Sequence, residues 1–94
     1  MIKVVAKAFY YEEKVDEAIR LYDELVEKSR KEVGCISYNL FKDVNDPSVL
    51  TMIEEWESIA ALDAHKKTEH FTRLIPIISA LRKSSETNIY KQIL

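Results

Sequence analysis

The sequence predicts an α+β domain of ferredoxin-like order, β-α-β-β-α-β, with an antiparallel sheet carrying its helices on one face. Three observations predict it. Apolar residues alternate through 2–10, 35–44, 49–56 and 85–94, the period of a strand. Helical spacing fills the interval between the first and second of these stretches, and again between the third and fourth. The second and third are separated only by the turn Asn45-Asp46-Pro47-Ser48, in which proline presets φ, so they form a hairpin.

In the first strand Ile2, Val4, Ala6 and Ala8 point one way while Lys3, Val5, Lys7 and Phe9 point the other. Val15, Ile19, Tyr22, Val26 and Ser29 then recur three and four apart, with Leu21 and Leu25 widening the stripe, which predicts one amphipathic helix over 12–32. Gly34, the only glycine, follows that helix and is expected to cap it in a left-handed conformation. Beyond the third strand, Ser58 is expected to cap a short helix over 59–66 with Ile59 and Leu62 in the core. Thr68 is expected to cap a second helix from Glu69 to about residue 82, kinked or restarted by Pro76 near Leu74. Both faces of the sheet carry apolar side chains, Val5 and Phe9 on one and Ile2 and Val4 on the other. A homodimer packed sheet to sheet, a dimeric α+β barrel with a pocket between sheet and helices, is therefore expected.

The 94 residues, 47% hydrophobic, fit one domain spanning 1–94. Fourteen Lys and Arg are interspersed with 16 Asp and Glu, which argues against a nucleic-acid footprint. No apolar run approaches the roughly 20 residues of a membrane span, so no membrane partner is expected. One cysteine and an opening strand pattern in place of a signal core predict a cytoplasmic, reducing compartment.

The candidate chemistry concentrates in residues 54–71, which hold the only tryptophan, Trp56, and both histidines, His65 and His70. The histidines stand five apart, whereas helical zinc pairs stand four apart, so no metal is expected. Cys35 reads as a small buried hydrophobe rather than a nucleophile. Glu54 alternates onto one strand face with Met52 and Trp56, where a carboxylate is costly unless something pairs with it. His65, Tyr38, a backbone group or a second subunit are the partners considered, against the simpler reading that Glu54 reaches water at the rim. A neutral imidazole at His65 serves as a general base if it faces a cavity, though a partly exposed helix histidine is the commoner case. Trp56, Phe71 and Tyr38 are core aromatics before they are stacking surfaces.

Together the patterns E-V-G-C-x-x-Y (Glu32, Val33, Gly34, Cys35, Tyr38), D-x-x-D-P (Asp43, Asp46, Pro47), E-x-W (Glu54, Trp56), A-L-x-x-H (Ala61, Leu62, His65) and T-x-H-F (Thr68, His70, Phe71) resemble the antibiotic biosynthesis monooxygenase domain, in particular its small quinol-monooxygenase-like members. The resemblance implies a dimer with one pocket per subunit, oxidising a small aromatic quinol or phenol with molecular oxygen and no cofactor. It implies His65 as base, Glu54 as its orienting partner and Trp56, Phe71 and Tyr38 as walls, with Asn39, His70 and Cys35 ranked lower. Similar domains isomerise a phosphorylated autoinducer-2-type sugar, for which Lys66, Lys67 and Arg73 offer charge, and more distant ones degrade haem using an asparagine on the first strand, which this chain lacks. A dimeric small-molecule binder without catalysis is the remaining alternative.

Overall fold

The computed structural model describes residues 1–94. Four strands, β1 (Ile2–Tyr10), β2 (Cys35–Lys42), β3 (Val49–Trp56) and β4 (Arg82–Lys91), form one antiparallel sheet in the order β2-β3-β1-β4. Helix α1 (Val15–Ser29) connects β1 to β2, and α2 (Ile59–His65) and α3 (Glu69–Ser79) connect β3 to β4. This is the ferredoxin-like α+β order.

Register fixes which side chains share a face. Val4 pairs with Glu54, Ala6 with Met52 and Ala8 with Leu50, and this row points towards the helices. There Val4, Ala8, Leu50, Met52 and Trp56 join Val15, Ala18, Tyr22 and Leu25 of α1, Leu62 of α2, and Leu74 and Ile78 of α3 in a single core. The intervening row, with Val5 opposite Ile53 and Phe9 opposite Val49, lies on the outer face, where Val5, Phe9 and Ile53 are half-buried and Val49 alone is buried.

Several boundaries differ from those expected, each for a physical reason. Residues 12–14 form a 3-10 turn that precedes α1, and α1 stops at Ser29 rather than 32. The cap falls at Arg30, and Gly34 sits further on, at the third position of a turn closed by the Cys35 N–H on the Glu32 carbonyl. Its φ of +86° and its carbonyl, which accepts from the Glu57 N–H at 2.8 Å, let β2 begin directly beneath α2. A Cβ at Gly34 would stand 2.6 Å from the Ala61 Cβ. Ile59 is 49% exposed and leaves the core, because the inward spacing of α2 selects Leu62 and His65 three apart. Ser58 and Thr68 do cap α2 and α3, accepting from the Ala61 and Phe71 N–H groups.

α3 runs unbroken through Pro76, its face anchored by buried Leu74 and Ile78, and ends at Ser79. β4 therefore begins at Arg82, opposite Tyr10, three residues before the predicted start and within a polar run that alternation does not mark. It also stops at Lys91, and β2 stops at Lys42. No helix is long and apolar enough to cross a membrane.

Candidate active site

A cavity of about 230 Å³ lies between the inner face of the sheet and the helices. Its wall is mostly apolar, from Val4, Met52, Leu62, Phe71 and Ile75, and into it converge Tyr38, Glu54, His65, Lys66, Arg82 and Thr87. Polar groups converging on a largely apolar wall are the usual composition of a small-molecule site.

His65 ends α2, three residues after Leu62, so the spacing that buries Leu62 also drives the imidazole inward to 1% exposure. Rings enclose it: Trp56 at 4.6 Å between centroids, Phe71 at 4.9 Å and Tyr38 at 5.2 Å. Its Nδ1 lies 2.7 Å from Oε2 of Glu32, and His70 places its own Nε2 at 2.7 Å from the same oxygen. A carboxylate only accepts, so both nitrogens carry the proton and donate. His65 Nδ1–H is thereby fixed, and Nε2 is left as a bare lone pair, buried and without a hydrogen-bond partner. Burial drives the His65 pKa below its ordinary value, although the Glu32 carboxylate pulls the other way.

Glu54 is 6% exposed and does not touch His65 through a hydrogen bond; Trp56 Nε1–H donates to its Oε1 at 2.9 Å. The orienting partner of His65 is Glu32, which corrects the expectation that Glu54 fills that role. Burial raises the Glu54 pKa to about 7, against smaller opposing effects of the Trp56 hydrogen bond and the Lys66 charge. Near neutrality the carboxyl is shared between its protonated and ionised forms. The Tyr38 hydroxyl is pushed up first by burial and then by the Glu54 charge, so it stays a neutral donor.

The remaining sequence candidates separate from this cluster. Trp56 is completely buried and backs His65 without lining the cavity. His70 stands on the far side of Glu32, its ring 6.2 Å from that of His65. Asn39 pairs with Ile53, on the outer face, and its Oδ1 accepts from Arg30 at 2.8 Å. The Cys35 thiol is pushed up to about 11, by burial and then by the charges of Glu32 and Glu54, and is not a thiolate at neutral pH. Arg73, offered as a cation for a phosphosugar, is engaged by Glu24 and Glu69. Arg82 and Lys66 line the cavity instead. Sequence reasoning missed Arg82, which it placed at the tail of a helix, and gave Glu32 no role beyond its place in E-V-G-C-x-x-Y.

Glu32, His65 and His70 offer three ligand atoms within 4.8 Å of one another, the one group in the chain that could hold a metal. Zinc with bonds of about 2.0–2.1 Å spaces tetrahedral ligand atoms about 3.3 Å apart. The two contacts of 2.7 Å are shorter and fit hydrogen bonds. A metal would have to push the carboxylate away from both rings.

The family model described as "Antibiotic biosynthesis monooxygenase" matches residues 1–76, from β1 into α3. The uncharacterized protein sll1783 of Synechocystis sp. is 36% identical over 80 residues, 84% of this chain and 54% of that protein. YcnE of Bacillus subtilis, whose name proposes a monooxygenase, is 37% identical over 59 residues, 63% of this chain and 62% of that one. The chain thus matches little more than half the length of these two curated relatives. A crystal structure of an antibiotic biosynthesis monooxygenase is 44% identical and superposes over 100% of both chains with a TM-score of 0.94. A conserved protein from Methanosarcina mazei Go1, 40% identical, superposes over 98% of this chain and 92% of that one with a TM-score of 0.95. Matched along most of its length in sequence and along all of it in fold, the chain belongs to the antibiotic biosynthesis monooxygenase family.

Proposed function

We propose that the protein is a cofactor-independent monooxygenase of a small aromatic phenol or quinol. The observation that carries the reading is the buried, unpartnered Nε2 of His65, a residue that lines the cavity, with Nδ1–H fixed on Glu32. An imidazole whose pKa is depressed by burial is neutral at pH 7 and holds its lone pair ready for a phenolic proton. Deprotonation makes the ring electron-rich enough to pass an electron to dioxygen. Recombination forms a carbon–oxygen bond to a ring carbon, and the resulting peroxide breaks its O–O bond as that carbon loses its hydrogen. His65 returns its proton to the departing oxygen. A phenol and dioxygen thus give a quinone and water, with the four electrons supplied by the substrate. Glu54, when protonated, donates to the second oxygen of the substrate, where an ionised carboxylate would repel the phenolate. The homodimer packed through the outer sheet face belongs to the same proposal, supported by the half-buried Val5, Phe9 and Ile53 on that face.

Oxygen uptake with a panel of reduced quinols tests the reading. The native protein is expected to consume oxygen faster than the uncatalysed rate, and His65→Ala to lose about 100-fold or more. No uptake by the native protein would remove the proposal, and unchanged uptake by His65→Ala would remove the base. Conversion of a phosphosugar without oxygen uptake would support isomerisation instead.

A further inference from the structure

Two cations on the cavity wall lack a carboxylate partner. Lys66 and Arg82 both line it, and neither enters an ion pair, whereas Lys3, Lys28, Lys31 and Arg73 each hold a glutamate. Glu54 is the one carboxylate on the same wall, and near neutral pH it is only partly ionised. With His65 neutral, the two cations outnumber Glu54 on this largely apolar wall, and the Glu32 carboxylate, which lies behind His65, is at the Lys66 end and not at the Arg82 end. A partly buried guanidinium facing such a wall is well satisfied by a planar anion that accepts two of its N–H groups.

The sheet register separates the two cations. Arg82 stands opposite Tyr10, while Glu54 stands opposite Val4, six residues earlier on β1, about 20 Å along the strand. The long Arg82 side chain reaches back to the cavity from the far end. Its charge bears on Tyr10 and Tyr22, and that of Lys66 on Glu54 and His65. The hydroxyls of Tyr10 and Tyr22, 3.0 Å apart, are neutral, so Tyr10 can accept a hydrogen bond from Arg82 without balancing its charge.

We propose that the aromatic substrate carries an anionic oxygen group, a ring carboxylate or a phosphate ester, which Arg82 binds at the end of the cavity remote from His65. Lys66, at the other end, offsets the charge that appears on the phenol once His65 has taken its proton. The inference rests on the reading of the site as a phenol pocket, and it adds the substrate class.

Calorimetric titration under argon tests it with three ligands: 1,4-hydroquinone, 2,5-dihydroxybenzoate and 4-hydroxyphenyl phosphate. The native protein is expected to bind at least one of the two anions about ten- to hundredfold more tightly than hydroquinone. Whichever anion binds more tightly identifies the source of the charge. Arg82→Gln should remove most of that advantage, bringing the ratio of anion to hydroquinone affinity towards one. Arg82→Lys, which keeps the charge and loses the fork, should fall between and guards against a folding defect in the first variant. Equal affinities for all three ligands, or an advantage that survives Arg82→Gln, would overturn the proposal. Because no oxygen is present, the outcome is independent of catalysis. Tight anion binding without later oxygen uptake would count against the monooxygenase alone, and uptake without anion preference against this inference alone.

Discussion

At the scale of single residues, the site depends on two carboxylates with different tasks. Glu32 accepts from two histidines and decides which nitrogen of His65 is free. Glu32→Gln places an amide there that can also donate, so the His65 proton is no longer confined to Nδ1. Nitrogen NMR of the imidazole is expected to show one tautomer in the native protein and a mixture in the variant, with kcat reduced more than KM is raised. Glu54 does the opposite work, keeping its proton up to about neutral pH because burial penalises its charge. Its folded pKa of about 7 lies above the ordinary carboxylate value, so the folded state binds the extra proton between those two pH values. Stability from this group is full below the ordinary value and is lost as pH rises to 7.

Glu54→Gln keeps an acceptor for Trp56 Nε1–H and removes the titration. Its melting temperature should match the native protein near pH 4 and exceed it at pH 8, by an amount worth roughly 3 kcal/mol at most. An equal melting difference at both pH values would show that Glu54 is not held protonated. His65 contributes the opposite slope: its depressed pKa makes stability fall as pH drops below about 6.5. Oxygen uptake should accordingly be bell-shaped, limited on the acid side by His65 and on the alkaline side by Glu54 near pH 7.

At the scale of elements, Gly34 connects the turn that holds Glu32 to the helix that holds His65. Gly34→Ala brings a Cβ against Ala61 and forces a non-glycine residue to φ of +86°. It should cost about 1–3 kcal/mol, measured by denaturant titration, and loosen the Glu32–His65 contact. What the sequence showed at this scale follows the strength of each local pattern. Strands β1 and β3 were legible because a strict period of two crosses a two-faced apolar strand, and the caps at Ser58 and Thr68 because their hydroxyls act locally. The start of β4 was not, since pairing with Tyr10 uses the backbone of a polar run and leaves no mark in its side chains. Glu32 escaped for a related reason: its partner is 33 residues away, joined through a bend that no periodicity describes. Alternation set Glu54 on the face of Met52 and Trp56 but left open whether it reached water at the rim, and the identity of its partner depended on a ring two residues further along the same strand face.

At the scale of the molecule, the sheet has one face sealed by helices and another that presents Val5, Phe9, Ile53 and the 49% exposed Phe41. A second copy packed on that face would bury it. Sedimentation at micromolar concentration is expected to give a dimer, and Ile53→Glu, at the centre of the face, a folded monomer. A native monomer would mean that the face serves something else. In the proposed reaction the helix-covered face holds the substrate, and the proton leaves and returns through His65. Mass spectrometry of the product formed from a phenol under isotopically labelled dioxygen tests this most directly. One labelled oxygen in the quinone and the other in water, with the yield of labelled quinone falling to the uncatalysed background in His65→Ala, is the predicted result. A product whose new oxygen carries no label, or no product above the uncatalysed background, would contradict it.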